Sequence, residues 1–399
     1  METTTILTLV SAILLIGFLG ELIYKKFKIP DIIILIAIGV VIGPHVLGYV
    51  HPEQLLPFAP IFTTVALLML IFDGAFNMDL ASVFRGFTAG FLTSAIVYIA
   101  SSTVIGILVY IFGFSPLVST FAGLTLGGVS SAFTIPVIKQ LNIAKRTFSL
   151  LTLESAFTDV YTLVFGLTVL AFFEVSTFSA QSIAITLISL FAIAALIGIV
   201  FGILWSLIVH KLLKEYNTFM VTLAVMVLVY TTTEFLGGNG AIAVLFFGLV
   251  LRNIRILIKH FNQITHTHKQ SSIIVSNTET MFYSQLSFFV KTFFFVYIGV
   301  LLNVTSKRLL LLAVVLTAAI WAVRGLVTFF TKTIPDADQK LCQAIYARGL
   351  SGAILAQIAV TQQIPQAQEI ASLVYLVIVA SIIASSTHLY IVRKHYKSL

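Results

Sequence analysis

The stretch "GLTLGGVSSAFTIPVIKQL" (Gly123–Leu141) is long and apolar enough to cross a bilayer core, yet it holds Gly127, Gly128, Ser130, Ser131 and Pro136. A helix in lipid satisfies its backbone N–H and C=O groups internally. Glycine and proline interrupt that ladder, and the freed groups are tolerated only where they are buried in protein or line a cavity. A second stretch, "AIYARGLSGAILAQIAV" (Ala344–Val360), repeats the pattern with Gly349, Ser351 and Gly352. Paired interruptions at corresponding places in two halves point to an ion or solute site between inverted repeats. The plainer reading is that small residues let helices pack closely, and the surrounding sequence decides between the two.

Working outward, the whole chain reads as membrane-embedded. Of its 399 residues, 59% are hydrophobic and 10% charged, and the mean hydropathy is +1.08. Apolar runs of about 20 residues, the length of a helix across the hydrocarbon core, recur from end to end. Ten-residue alternating segments are absent, which disfavours a β-barrel. About thirteen spans are expected, at 5–24, 31–49, 56–78, 86–113, 116–140, 145–173, 180–212, 216–236, 239–258, 272–302, 307–331, 338–362 and 366–393. The first is not expected to be a cleaved signal, because it lacks a basic leading segment. Cys342, the one cysteine, rules out a disulfide framework within the chain.

The net charge of +8 would suit nucleic acid, but its placement follows the positive-inside rule instead. With the N-terminus outside, the inside connections carry Lys25, Lys26, Lys28, Arg85, Lys139, Lys145, Arg146, Lys211, Lys214, Arg252, Arg255, Lys259, Lys269, Lys332, Lys340, Arg393, Lys394 and Lys397. The outside connections carry only Lys307 and Arg308. The expected setting is therefore a multi-pass protein of the cell membrane with a cytoplasmic C-terminus, a lipid bilayer as its surroundings and no nucleic-acid partner.

Charges inside the spans are costly and usually mark an ion pathway. The sixth span, "LTLESAFTDVYTLVFG" (Leu151–Gly166), holds Glu154 and Asp159 beside Ser155 and Thr158. Five positions at about 100° per residue put the carboxylates some 140° apart, on adjoining faces. One can coordinate or titrate while the other anchors a neighbour. Asp73 and Glu234 lie less deep. The cations within spans are Lys291, Arg324 and Arg348, and each needs a partner, because an unpaired buried cation is strongly destabilising. A purely structural ion pair would explain one intramembrane carboxylate; two flanked by hydroxyls favour an ion site. Asp73 and Lys291, on spans three and ten, would be equivalent under an inverted repeat and are a candidate pair.

In this order along the chain, "GELIYKKFKIPDIIILIAIGVVIGPHVLG", "LLMLIFDGAFNMDL", "LTLESAFTDV", "GGNGAIAVLFFGLVLRN", "FFFVYIGVLLN" and "ARGLSGAILA" resemble the monovalent cation/proton antiporter superfamily. The nearest branch is that of the NhaP-type and eukaryotic sodium/proton exchangers, and the resemblance covers nearly the whole chain. It implies an all-α polytopic membrane protein of about 13 transmembrane helices, with two inverted repeats and crossed broken helices on spans five and twelve. It further implies a homodimer whose core (about 86–173 and 307–393) moves past dimerisation helices (about 5–78 and 216–302), with 180–212 as linker, in an elevator-like motion. By resemblance, Asp159 binds proton and cation alternately, Ser155 is a cation ligand, Glu154 pairs with Arg324, and Arg348 is structural or regulatory. The sequence departs from the family at Thr158, before Asp159, and at Val129-Ser130-Ser131. The serine pair is closer to the potassium-efflux branch.

These residues suggest competition for one carboxylate. A bound cation favours an ionised carboxyl and a proton excludes it, so Asp159 would hold one or the other. Hard oxygen ligands suit an alkali cation: Asp159, Ser155, Thr158 and span-five carbonyls near Ser130 and Ser131. The expected activity is electroneutral exchange of Na+ or Li+, with K+ as an alternative, for one proton. No enzyme activity and no cofactor are expected. A channel-like K+ conduit and a non-transporting scaffold or sensor are the rival readings.

Overall fold

All regular structure among the described residues of the computed structural model is helical. The structure describes residues 31–44, 46–55, 57–76, 80–141, 143–173, 180–212, 218–264, 277–302, 306–331 and 334–395, with positions 11 and 15. The first expected span apart from those two positions, and Lys25, Lys26, Lys28, Lys214, Lys269, Lys332 and Lys397, lie outside these residues.

The helices are α1 (Asp31–Ile42), α2 (Pro52–Leu55), α3 (Ala59–Phe76), α4 (Leu80–Ile111), α5 (Pro116–Leu126), α6 (Ser131–Ile138), α7 (Lys145–Phe173) and α8 (Ala180–Leu212). Then come α9 (Phe219–Phe235), α10 (Gly240–Ile264), α11 (Asn277–Leu301), α12 (Lys307–Arg324), α13 (Val327–Thr331), α14 (Asp336–Ala344), α15 (Leu350–Thr361) and α16 (Ala367–His395). Each of the second to thirteenth expected spans is met by a helix or a broken pair. Eight are long and apolar enough to cross a membrane, and four shorter apolar helices accompany them. Their lipid-length apolar faces remain outward, as Ile99, Ile111, Leu196 and Val314 illustrate. Large apolar side chains on the outside suit a hydrocarbon solvent rather than water.

The chain divides into two compact units. The first comprises Met1–Thr63, Phe87–Phe173 and Phe289–Leu399; the second comprises Thr64–Gly86 and Glu174–Phe288. Within the second, α8 lies along α10, with Gly198 and Gly202 where a Cβ would meet Ala243 and Val250. Phe72 fills the centre of that unit, edge-on to Tyr283 at 5.0 Å and stacked on Phe247 at 6.1 Å. Glu234, expected inside a span, is exposed at the end of α9. Its Oε1 accepts from Gly240 N at 2.7 Å and caps α10. A carboxylate at a helix N-terminus answers the helix dipole.

In the first unit, Gly39 of α1 and Gly299 of α11 meet so closely that a Cβ on either would strike the other's backbone. This is small-residue packing of the membrane type. The same unit holds both interrupted spans and every residue of the site described next.

Candidate functional site

The fifth and twelfth spans are broken, and the breaks cross. Span five stops at Leu126 and resumes at Ser131. Span twelve stops at Ala344, runs extended through Ile345 and Gly349, and resumes at Leu350. Ser130 N donates to the Ala347 carbonyl at 2.9 Å and joins the two unwound segments. Gly349 must be glycine here because a Cβ would run into the Ser130 side chain. Gly127 is under the same constraint from Ser102 Oγ. Two expected break residues are corrected: Pro136 lies inside α6, and Gly352 lies inside α15 against the Thr125 carbonyl.

Unwinding frees backbone groups, and side chains take them up. Arg348 Nη1 donates to the carbonyls of Gly127 at 2.8 Å and Gly128 at 2.6 Å. The positive guanidinium thus sits at the negative C-terminal end of α5. On α16, Ser381 Oγ accepts from Arg348 N at 3.0 Å. One turn on, Ser385 Oγ accepts from Tyr346 N at 3.3 Å and donates to the Ala344 carbonyl at 2.6 Å. Thr158 Oγ1 donates toward the Val129 carbonyl and accepts from Val129 N at 3.0 Å. Ser130 Oγ accepts from Phe133 N and caps α6. The carbonyls near Ser130, expected to coordinate an ion, are therefore engaged within the protein, and the Thr158 hydroxyl braces the break.

Two half-helix N-termini are left, those of α6 and α15, and both meet Asp159. Ser131 N donates to Asp159 Oδ2 at 3.1 Å, and Ser351 Oγ donates to Oδ1 at 2.8 Å. Helix N-termini stabilise negative charge through unpaired N–H groups and the dipole. A carboxylate offers about four acceptor positions, and the Ser131 hydroxyl also reaches this one. Lys291 of α11 also attracts this carboxylate electrostatically. Asp73 lies in the second unit, where its Oδ1 faces Ser284 Oγ at 3.5 Å.

Glu154, one and a half turns before Asp159, is sealed. Arg324 grips it with both terminal nitrogens, Nη1 to Oε1 and Nη2 to Oε2 at 3.0 Å, while Arg324 Nε donates to the Cys342 carbonyl at 2.8 Å. Both side chains are 1% exposed. Asp159, by contrast, is partly accessible. Ser155 is buried, its hydroxyl donating to the Thr152 carbonyl at 3.2 Å. The structure thus brings Asp159, Ser131, Thr158, Ser130, Glu154, Arg324 and Arg348 into one region, and it adds Ser351, Ser381 and Ser385. Ser351 was visible in the sequence only as part of the second break; its contact depends on the crossing.

At the base of α7, Asp338 Oδ2 accepts from Ala144 N at 3.1 Å and from Thr147 Oγ1 at 2.6 Å, although Asp338 belongs to α14. The helix carrying Asp159 is thus capped from the other half of the chain.

The family described as "Sodium/hydrogen exchanger, transmembrane" matches residues 10–394. The chain is similar to Na(+)/H(+) antiporter 1 of Methanocaldococcus jannaschii, 26% identical over 252 residues, covering 60% of this chain and 58% of that protein. K(+)/H(+) antiporter NhaP2 of Shewanella oneidensis is 25% identical over 234 residues, covering 57% and 40%. Na(+)/H(+) antiporter NhaS2 of Synechocystis sp. is 22% identical over 403 residues, covering 98% and 71%. The match thus spans 58% and 40% of the lengths of the first two relatives. Among solved structures, that of the sodium proton antiporter MjNhaP1 from M. jannaschii at pH 8 superposes with a TM-score of 0.76 at 19% identity, covering 98% of each chain. That likeness establishes the fold.

Proposed function

We propose that this chain, which belongs to the sodium/hydrogen exchanger family, is a secondary active antiporter in which a monovalent cation and a proton compete for Asp159. The observation that carries this reading is the contrast between the two carboxylates of α7. Glu154 is taken up by Arg324, whereas Asp159 is reachable and held by donors from both broken helices. A carboxylate poised this way exchanges one small partner for another. A structural ion pair of the Glu154 kind has no such vacancy. One such carboxylate favours electroneutral exchange.

Na+ or Li+ is the proposed cation. The relatives named Na(+)/H(+) antiporters support it, while those named K(+)/H(+) antiporters and the Ser130–Ser131 pair keep K+ as the alternative. The reading includes a homodimer in the cell membrane, N-terminus outside and C-terminus cytoplasmic, with a core of about 86–173 and 307–393 moving as an elevator past dimerisation helices of about 5–78 and 216–302, and 180–212 as linker. The basic residues on alternate connections support the orientation. No enzyme activity and no cofactor are part of the proposal.

The test is proton flux in sealed proteoliposomes under an imposed pH gradient, with pulses of Na+, Li+ or K+. Collapse of the gradient by particular cations in the wild type, and by none in Asp159→Asn, is expected. Exchange retained in Asp159→Asn would defeat the assignment. Large currents independent of protons would favour a conduit.

A further inference from the structure

We propose that Ser351 is a cation-coordinating residue and sets which monovalent cation the site accepts; this rests on Asp159 being the transport carboxylate. Three other hydroxyls of the region are engaged elsewhere, whereas that of Ser131 also reaches Asp159. Thr158 is bound to the Val129 backbone, Ser130 to Phe133 N, and Ser155 to the Thr152 carbonyl. The donor on the Oδ2 side, Ser131 N, is an amide and can only donate. Ser351 Oγ makes its bond to the carboxylate itself, at 2.8 Å, and its residue is 5% exposed.

A hydroxyl has one hydrogen and two lone pairs. With no cation at Oδ1, Ser351 donates its hydrogen to the Asp159 carboxylate. With a cation against Oδ1, rotation about the C–O bond turns the hydrogen away and presents a lone pair. The same oxygen then becomes a hard ligand of the kind alkali cations take. Ser351 lies in the first turn of α15, immediately after the extended crossing. A cation bridging Asp159 and Ser351 therefore ties α7 to the second broken helix. Its size is read by a distance that the crossing of spans five and twelve fixes.

The experiment measures exchange in proteoliposomes with Na+, Li+ and K+ for wild type, Ser351→Ala and Ser351→Thr, beside calorimetric binding of the same cations in detergent. Ser351→Ala is expected to raise the KM of the preferred cation about tenfold, the order of one lost polar contact. It should raise KM more than it lowers Vmax, and narrow the discrimination among the three ions. Ser351→Thr, which keeps the oxygen, should restore both. Unchanged KM and ion ranking in Ser351→Ala would overturn the proposal. So would a KM raised equally for all three ions and not rescued by threonine, since that marks a structural role. Wild type inactive with every cation would instead defeat the antiport reading, and the calorimetric comparison would then decide Ser351 alone.

Discussion

Arg324 closes on Glu154 with two terminal nitrogens and donates its Nε–H to the Cys342 carbonyl, with 1% of either side chain of the pair exposed. The pair ties α7 to α12 and α14 at the level of the ion site. Removing one partner of such a pair leaves a bare charge in a low-dielectric interior, at a cost of about 3–5 kcal/mol. Glu154→Gln should therefore lower the melting temperature in detergent markedly. Replacing both residues by leucine should recover part of the loss. A normal melting curve for Glu154→Gln would show that Arg324 finds another partner.

Arg348 is predicted to hold the first break open from within. Its Nη1 satisfies two carbonyls, at Gly127 and Gly128, and a buried unsatisfied acceptor costs about 1–3 kcal/mol. Arg348→Ala should destabilise by a few kcal/mol in chemical denaturation. Arg348→Lys should recover only part of this, since an ammonium reaches as a point charge. Full stability of Arg348→Ala would contradict the role.

Gly349 bears on the crossing itself. Alanine there would push against the Ser130 side chain and separate the two unwound segments. Overpacking of this kind costs about 1–3 kcal/mol, and here the displacement falls beside Ser351 and Asp159. Gly349→Ala should lose cation binding more completely than its melting temperature suggests. Cation affinity equal to wild type in calorimetry would mean that the crossing tolerates a methyl group.

Asp338 is expected to matter for stability through the helix it caps rather than its own. Loss of an N-cap costs about 0.5–2 kcal/mol. Asp338→Ala should fall in that range, with amide exchange accelerated in the first turn of α7 around Thr147. Protection unchanged there would place the stabilisation elsewhere.

Much of this arrangement was legible in the chain because membrane physics is restrictive. Glycine pairs inside apolar spans marked the two breaks, and carboxylates too costly to leave in lipid marked Glu154 and Asp159. The partner of Glu154 came from the family resemblance, since the charges within the spans left Arg324, Arg348 and Lys291 open. What escaped the sequence depends on how two distant segments cross. Pro136 reads as a breaker, yet α6 begins five residues earlier and carries it inside. Thr158 reads as a ligand beside Asp159, but Val129 lies near enough to take its hydroxyl. Ser381 and Ser385 are unremarkable in an apolar helix until the unwound amides of Tyr346 and Arg348 need acceptors. Ser351 becomes part of the site only because the second break brings it to Asp159.

The central claim is that proton and cation exclude one another at Asp159. The most direct measurement is calorimetric titration of the purified protein with NaCl, LiCl and KCl, below the pH of maximal exchange, in two buffers of different ionisation enthalpy. Competition predicts a heat that depends on the buffer and corresponds to one proton released per cation bound, absent in Asp159→Asn. Cation binding with the same heat in both buffers would contradict the account, because cation and proton would then occupy the protein independently.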